Sequence, residues 1–262
     1  MSLPGVYETT LKNGTPSFRA SITHQKKHIS LGSFPDEKTA HNAYLLAFSL
    51  LSEDSFEIWD YKQSFPLSFD KWVVLLNFRD NGIYFPTPIY LMKTYFIYYL
   101  EPEIELKFDL EDLFYYASHK IMRRGGHLFL ADYGMQVTLP SRYGIKNYAV
   151  QGKDYQFING DPYDYRYENI KILNTYHGVS IIRDNNTVKY KARIHIRSYY
   201  LIGCYDSAIE AAVAYNKAVD VLKKRYPEKN YELNYIAELK ASEYVRLYEQ
   251  VKISDKIYAL AQ

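Results

Sequence analysis

The chain has 262 residues, which allows one or two domains with buried cores. Its 32 Lys and Arg nearly balance 30 Asp and Glu, and its one cysteine, Cys204, excludes internal disulfides and thiolate metal clusters. Neither a signal peptide nor an apolar run long enough to span a bilayer is evident, so we expect a soluble cytoplasmic protein without membrane partners.

Residues 1–51 predict three antiparallel strands followed by a helix. Apolar and polar side chains alternate from Phe18 to Thr23, which is the period of a strand with one buried face. Gly14 and the segment 24–27 provide the turns on either side of this strand. After Asp36, apolar residues recur at helical spacing and predict one packed face: Ala40, Ala43, Tyr44, Ala47 and Phe48.

The middle of the chain is net acidic, with 13 Lys and Arg against 17 Asp and Glu in residues 52–175. Residues 52–88 have no clean period, and we interpret them as a connector. Residues 89–175 predict a domain of short strands with an acidic helix start at 109–114. A Gly-Gly turn after Arg123 and Arg124 presents two cations that either contact phosphate or are simply solvated.

The stretch from Val188 to Arg197 predicts a strand with an apolar back and a basic front. One side holds Val188, Tyr190, Ala192, Ile194 and Ile196, and the other holds Lys189, Lys191, Arg193, His195 and Arg197. Residues 178–183 and 199–205 predict flanking strands, with a turn at 184–186, and Asp206 or Ser207 caps a helix through Lys224. A one-sided basic face indicates a polyanion partner, with an ordinary exposed face as the alternative.

Residues 235–262 lack Gly and Pro and predict a single C-terminal helix. This helix either packs on its own chain or mediates a homodimer, as in many two-fold DNA binders.

Both ends of the chain resemble one family of DNA-binding domains. The motifs H-G-V-S, Y-K-A-R-I and L-I-G-C-Y-D-S-A-I-E-A-A-V-A-Y-N-K-A, with E-L-N at 232–234, are similar to the APETALA-two/ethylene-response-factor domain, as is H-I-S-L-G-S-F-P-D-E-K-T-A near the start. We therefore interpret the two ends as an internal repeat. The resemblance implies a three-stranded sheet that lies in the major groove of duplex DNA, and a packed thiol at Cys204.

The resemblance also implies a set of DNA-contacting residues. In the C-terminal copy, Ile182 and Leu201 fall at contact positions where the plant domains have Arg and Trp, which leaves base preference undetermined. The other C-terminal positions that match the family's contacts are Ser180, Lys191, Arg193, His195 and Tyr199. Independently of the resemblance, the basic side of the strand adds Lys189 and Arg197, and Arg183 is a further basic candidate. In the N-terminal copy, the groove-facing candidates are Tyr7, Thr9, Arg19, Ser21, Thr23 and His28. Independently of the resemblance, further basic candidates are Lys26 and Lys27 in the turn before the third strand, and Arg123 and Arg124 in the middle domain.

Residues 155–174, Y-Q-F-I-N-G-D-P-Y-D-Y-R-Y-E-N-I-K-I-L-N, resemble the HNH-type homing endonucleases. In that family, an Asp-His pair before I-N-G supplies a metal ligand and the general base. Here the pair is Gln156-Phe157, the family's earlier His falls at Ser141, and only the ligand position Asn169 is kept. Phenylalanine cannot accept a proton, and glutamine binds a hard cation less well than a carboxylate does. We expect an inactive nuclease core with no catalytic residue, metal or cofactor.

Other groups in the middle domain have two interpretations. The carboxylates Asp154, Asp161, Asp164 and Glu168 could bind a cation, but carboxylates around an N-G-D-P turn more often cap and solvate. His119 and His127 lack a third ligand and are more often polar contacts than a metal site.

The sequence therefore predicts an α+β fold with five parts. Two three-stranded antiparallel sheet-plus-helix modules, 1–51 and 176–234, flank an HNH-like, ββα-metal-type domain at 89–175, with the connector at 52–88 and the C-terminal helix at 235–262. The predicted function is sequence-specific double-stranded DNA binding without cleavage, as a transcriptional regulator derived from a phage or mobile-element endonuclease and associated with the nucleoid of a bacterium or phage-infected host. The alternatives are an active HNH endonuclease with a non-standard metal site and a protein-interaction module or inhibitor.

Overall fold

The computed structural model describes residues 3–132, 135–147, 149–184 and 187–262. It is a mixed α+β structure of small antiparallel sheets and helices, in agreement with the predicted class. The chain divides into two compact units, residues 1–147 with 158–170, and residues 148–157 with 171–262. Among the described residues, none of the helices combines the length and the apolar character needed to cross a membrane.

The N-terminal module is a three-stranded sheet covered on one side by a helix. Strands β1 (Val6–Thr10), β2 (Pro16–His24) and β3 (Lys27–Phe34) pair antiparallel in that order, and α1 (Glu37–Ser52) follows. The Asp36 side chain caps α1 by accepting a hydrogen bond from the Thr39 amide at 2.8 Å. The alanines of the predicted packed face are buried, which confirms that part of the prediction. Phe48 is 55% exposed, because the buried stripe continues to Leu50 instead.

Residues 52–88, expected to be a connector, contain part of a core. Helix α2 (Phe69–Asn81) begins after the capping Ser68 and buries Trp72 and Leu75 completely. Its apolar residues surround the helix, which is typical of a helix packed on several sides and explains the missing period. Arg79 fastens α2 to the end of α1 by donating hydrogen bonds to the carbonyls of Leu50, Glu53 and Phe56.

The middle segment forms three further small sheets. Strands β4 (Ile89–Leu91), β5 (Tyr95–Glu101) and β6 (Ile104–Asp109) make one, and after α3 (Leu113–Ser118) strands β7 (Ile121–Arg124), β8 (His127–Asp132) and β9 (Met135–Thr138) make the next. Strands β10 (Tyr155–Phe157) and β11 (Ile170–Ile172) form a two-stranded pair. The predicted ββα unit is not completed, because residues 173–178 lead from β11 to the next strand without forming a helix.

The C-terminal module repeats the sheet-plus-helix arrangement. Strands β12 (Val179–Asp184), β13 (Thr187–His195) and β14 (Tyr199–Tyr205) pair antiparallel in that order, and α4 (Ala208–Lys223) follows. Two residues of the predicted 184–186 turn lie outside the described residues. Ser207 caps α4 by accepting a hydrogen bond from the Glu210 amide at 3.1 Å.

The C-terminal segment forms two helices rather than the single helix predicted from its composition. Helices α5 (Ala241–Gln250) and α6 (Asp255–Ala261) are separated by an extended segment, in which the Ser254 amide donates to the Ile202 carbonyl at 2.8 Å. The Lys217 amine donates to the Tyr248 and Val251 carbonyls at the end of α5. The apolar residues considered for a dimer contact therefore pack within their own module: Ile236, Leu239, Tyr244, Leu247, Tyr248 and Val251.

The two sheet-plus-helix modules share details that the sequence pattern alone does not specify. In each, the middle strand has a register shift after an alanine, Ala20 in one and Ala192 in the other. In each, the residue after that alanine donates its amide to a glycine carbonyl before the first strand, Gly5 at 3.0 Å and Gly178 at 2.8 Å. These matching contacts give the interpretation as an internal repeat a structural basis.

Candidate nucleic-acid interface

One side of the C-terminal sheet collects most of the predicted contact residues, and we call it the basic face. Cross-strand partners project to the same side of a sheet, so the register defines the group. Lys191 lies between Ser180 and Cys204, while Lys189 pairs with Ile182. The basic face comprises Ser180, Ile182, Lys189, Lys191, Arg193, His195, Tyr199, Leu201 and Cys204.

The apolar side of the same sheet explains why the basic face points to solvent. Ala192, Ile194 and Ile202 are almost completely buried beneath α4. Their neighbours on β13 must therefore project outward, since side chains alternate along a strand. Val188 departs from the prediction, because it is 49% exposed near the start of β13.

A β-bulge in β14 changes which residues join the basic face. The register passes from Ala192 opposite Gly203 to Arg193 opposite Leu201, so Ile202 is an extra residue on β14. Beyond the bulge the parity of the strand reverses, which brings Cys204 to the basic face beside Lys191. Cys204 was expected to be packed, but it is exposed, and simple alternation from Tyr199 could not have revealed this.

An aromatic side chain organises one end of the basic face. The guanidinium carbon of Arg193 lies 5.1 Å from the centroid of the Tyr199 ring, and the His195 ring lies 5.0 Å from the same ring. The Tyr199 side chain is itself 70% exposed. A cation held over an aromatic ring loses less freedom when it binds a partner, so Arg193 is partly preorganised.

The cations of the basic face differ in their partners. Lys189 forms an ion pair with Asp206, and this hydrogen-bonded carboxylate raises the pKa of the Lys189 amine. Within the described part of the chain, no acidic side chain is paired with Lys191 or Arg193. These two cations are available for an external anion or a base edge.

Two basic residues predicted as contacts do not lie on the basic face. Arg183 is the register partner of Val188, so it projects to the opposite side of the sheet. Arg197 was included by extending the alternation, but β13 ends at His195 and Arg197 lies in the exposed bend that follows. The predicted contact set therefore loses Arg183, while Arg197 lies at the margin of the basic face.

The corresponding side of the N-terminal sheet is nearly neutral. It contains Tyr7, Thr9, Ser17, Arg19, Ser21, Thr23, His28, Ser30 and Ser33. Lys26 lies in the hairpin turn at a φ of 66°, and Lys27 pairs with His24 on the other side, where its amine lies 4.8 Å from the Tyr84 ring centroid. Arg19 is thus the only fully charged side chain on this side of the described sheet, because neither turn lysine joins it.

The turn that resembles the HNH core is a closed network of hydrogen bonds. The Asp164 side chain is fully buried and accepts hydrogen bonds from Arg166 at 2.7 and 2.9 Å and from Asn159 at 2.8 Å. Burial opposes ionisation of this carboxyl, but the hydrogen bonds from Arg166 and Asn159 outweigh it and hold the pKa below its ordinary value. Asp161 is likewise occupied by an ion pair with Lys107 at 3.0 Å.

The one retained ligand position of the HNH pattern serves the same network. The Asn169 side chain is buried, donates to the Asp164 carbonyl at 2.8 Å and accepts from the Asn159 amide at 2.8 Å. Phe157 is buried, and the Ser141 hydroxyl donates to the Thr138 carbonyl at 2.7 Å. Gln156 lies between Tyr155 and Phe157 on β10.

The remaining candidate ligands and cations of the middle segment are dispersed. Asp154 accepts from the Val150 amide and from the Asn174 side chain, while a ring nitrogen of His119 lies 2.9 Å from the Tyr115 carbonyl. Among the described residues, no group of three or more His, Cys, Asp or Glu side chains could hold a metal ion. Arg123 and Arg124 lie beside the Gly-Gly turn of the β7–β8 hairpin, where Arg123 is 3.5 Å from Glu101.

Comparisons of this chain with protein-family models, with curated proteins and with solved structures find no match. The assignment of a class of site therefore rests on the residues of the basic face and their geometry.

Proposed function

We propose that this protein binds double-stranded DNA through the basic face of its C-terminal module and does not cleave it. The observation that carries the proposal is a pair of cations, Lys191 and Arg193, that have no acidic partner among the described residues. They lie on the exposed side of a sheet whose other side is buried under α4. A solvated sheet face usually mixes charges of both signs, whereas phosphate binding needs a local excess of positive charge.

The dimensions of duplex DNA suit this face. The major groove admits a two-stranded ribbon or a sheet as well as a helix. An arginine can bind the O6 and N7 atoms of guanine with two hydrogen bonds, and a lysine binds phosphate as a compact charge. Arg193 is then the base-contacting residue. Phosphate contacts come from Lys189 and Lys191, and from Arg197 at the margin of the basic face.

The proposal excludes cleavage on chemical grounds. Phosphodiester hydrolysis of the HNH type needs a general base at the position held by Phe157, whose ring carries no proton acceptor. The oxygen and the nitrogen of the Asn169 side chain both form hydrogen bonds within the buried turn, so this residue has a structural role. A DNA-binding protein that descends from a mobile-element endonuclease and has lost catalysis is suited to transcriptional regulation.

DNA binding is tested by fluorescence anisotropy with a labelled random-sequence duplex at several salt concentrations. We expect retention at low salt and a steep linear loss of log affinity with log salt, because bound cations release counterions from DNA. Failure to bind at low salt would end the proposal and favour a protein-interaction module instead.

Arg193→Ala tests the assignment to the basic face, with Arg183→Ala as a control of equal charge on the opposite side of the same sheet. On a duplex enriched from a random pool, Arg193→Ala should cost about 1–3 kcal/mol and relax preference at one base position. Arg183→Ala should leave that preference intact. Equal losses in the two variants would show that net charge, and not this face, determines binding.

Cleavage is tested with supercoiled plasmid in the presence of magnesium or manganese. We expect the plasmid to remain intact at protein concentrations that saturate DNA binding. A nicked product that forms with the metal ion and is abolished by a chelator would replace the proposal with an active nuclease.

A further inference from the structure

Two apolar side chains interrupt the basic face at defined positions. Leu201 is 47% exposed and lies directly opposite Arg193, and Ile182 is partly exposed and lies opposite Lys189. Neither belongs to the apolar cluster that packs the sheet against α4. A single exposed leucine needs no explanation, but a leucine paired with the central arginine of a candidate base-contacting strand has a specific neighbour.

The distance between opposed residues of a sheet relates Arg193 and Leu201 to neighbouring base pairs. Directly opposed side chains on paired strands have Cβ atoms about 4.5–5.5 Å apart. Successive bases along a strand of DNA rise by about 3.4 Å. When Arg193 contacts a guanine, Leu201 therefore reaches the adjoining base pair more readily than the same one.

The major groove offers few apolar groups for Leu201 to contact. Base edges there present hydrogen-bond donors and acceptors, and the apolar group is the C5-methyl of thymine. Cytosine presents the same methyl only when it is methylated at C5. A leucine at this position loses exposed apolar surface against such a methyl and gains nothing from unmethylated cytosine or uracil.

We infer that the basic face selects DNA sites in which a pyrimidine carrying a C5-methyl group adjoins the guanine contacted by Arg193, with Leu201 contacting that methyl. This inference rests on the proposed DNA binding and specifies its preferred substrate. Thymine and 5-methylcytosine share the chemistry, and they are distinguished by experiment.

The test begins with the best duplex selected by the wild-type protein from a random pool. Each thymine of that duplex is replaced in turn by uracil, which removes only the methyl group. We expect a loss of about three- to fivefold in affinity at a thymine adjoining the essential guanine, the effect of burying about one methyl group. A wild-type protein that binds the thymine and uracil duplexes equally well would overturn the inference while leaving DNA binding intact.

Leu201→Ala assigns the effect to a residue. This variant should bind the thymine and uracil duplexes equally, whereas Ser30→Ala at the corresponding position of the N-terminal sheet should keep the full discrimination. Because Leu201 is outside the core, we expect an unchanged thermal unfolding curve. Persistence of the uracil penalty in Leu201→Ala would refute the contact.

A further pair of duplexes carries cytosine or 5-methylcytosine at the sensitive position. If methylation of the cytosine strengthens binding three- to fivefold, the methyl group is recognised in either base. If methylation has no effect while the uracil penalty remains, the preference is for thymine alone, and the inference stands for that source. Absence of binding to every duplex would instead remove the proposed function itself.

Discussion

The N-terminal and C-terminal modules share one framework but differ in the charge of the sheet face that points away from the helix. Both place a small residue at the register shift of the middle strand, a capped helix behind the sheet and a glycine before the first strand. The sides of the two sheets that face away from the helix differ in charge, since Ser17 and Ser21 of one correspond to Lys189 and Arg193 of the other. The comparison shows that the framework is kept by packing constraints, whereas the exposed face is free to acquire or lose a partner.

The two modules also differ in what covers the outer side of the helix. In the N-terminal module, α2 packs beside α1 and is fastened by Arg79. In the C-terminal module, α5, α6 and the preceding segment pack beside α4, through Lys217 and Asn216. Tyr44 of α1 and Tyr215 of α4 occupy corresponding positions in the two helices. The residue that follows is exposed in α1, where it is Leu45, and buried in α4, where it is Asn216.

The largest effect is expected from the two glycines that precede the sheets. Gly5→Ala and Gly178→Ala would place a Cβ atom 2.1 Å from the Tyr44 ring and 2.4 Å from the Tyr215 ring, at φ values of 74° and 71°. We expect each to lower the free energy of unfolding by about 2–4 kcal/mol, because steric overlap adds to backbone strain. Urea denaturation measures the loss.

Gly14→Ala is the control for these substitutions. Its φ is 83°, but its Cβ atom would meet nothing within 4 Å, so only the strain of about 1 kcal/mol should remain. A cost for Gly178→Ala no larger than that of Gly14→Ala would contradict the close approach to Tyr215.

The next effect separates the outer sides of the two helices. Asn216→Ala removes a hydrogen bond to the Asn234 carbonyl at 2.9 Å and leaves the Asn234 amide unpaired. We expect a loss of about 1–3 kcal/mol in unfolding free energy, since buried polar groups are costly without partners. Leu45→Ala, at the corresponding exposed position, should change stability by less than about 0.5 kcal/mol. Similar costs for the two variants would show that the Asn216–Asn234 contact does not distinguish the modules.

A smaller effect compares corresponding cations on the exposed sides. Lys191→Ala should reduce the magnitude of the slope of log affinity for DNA against log salt concentration by about one, the contribution of one phosphate contact. Arg19→Ala removes the same charge from the N-terminal sheet and should leave the slope unchanged. Fluorescence anisotropy across a salt series checks both. A reduced slope in Arg19→Ala would mean that the N-terminal module also binds DNA.

The smallest effect concerns the two helix caps. The hydrogen bond from the Thr39 amide lowers the pKa of the capping carboxyl of Asp36, whereas the capping hydroxyl of Ser207 does not titrate. Since the folded pKa of Asp36 is below its unfolded value, its stabilising effect is complete above the unfolded pKa and is lost as pH falls through the folded one. The midpoints of thermal unfolding of Asp36→Ser and of the wild type should therefore become more similar as the pH falls below about 4. A difference between the two proteins that is constant with pH would contradict this cap.

Local pattern was sufficient for the two modules because each carries its own signals. Alternation locates β2 and β13, and Asp36 and Ser207 mark the starts of α1 and α4. Pattern was not sufficient for α2, where Trp72 and its neighbours are buried on several sides and no period remains. The break between α5 and α6 was also missed, because backbone contacts such as Ser254 with Ile202 produce it without Gly or Pro.

The candidate site shows the same division. Its alternating lysines and arginines were evident from residues 188–197, and β13 with its neighbours places Lys189, Lys191, Arg193 and His195 on one side. The assignment of Arg183 failed because its face depends on the register with Val188. That of Cys204 failed because the extra residue Ile202 reverses the parity of β14.

The sequence by itself determined the local elements of this protein and the one-sided charge of β13, because strand alternation and helix capping act between residues close in the chain. Only the tertiary structure decided which cations lack an acidic partner within the described ranges, which apolar side chains lie beside them and where the C-terminal helices pack. Those outcomes depend on strand register and on contacts between distant segments, such as Arg193 with Leu201 and Lys217 with the end of α5. Short-range periodicity does not encode them.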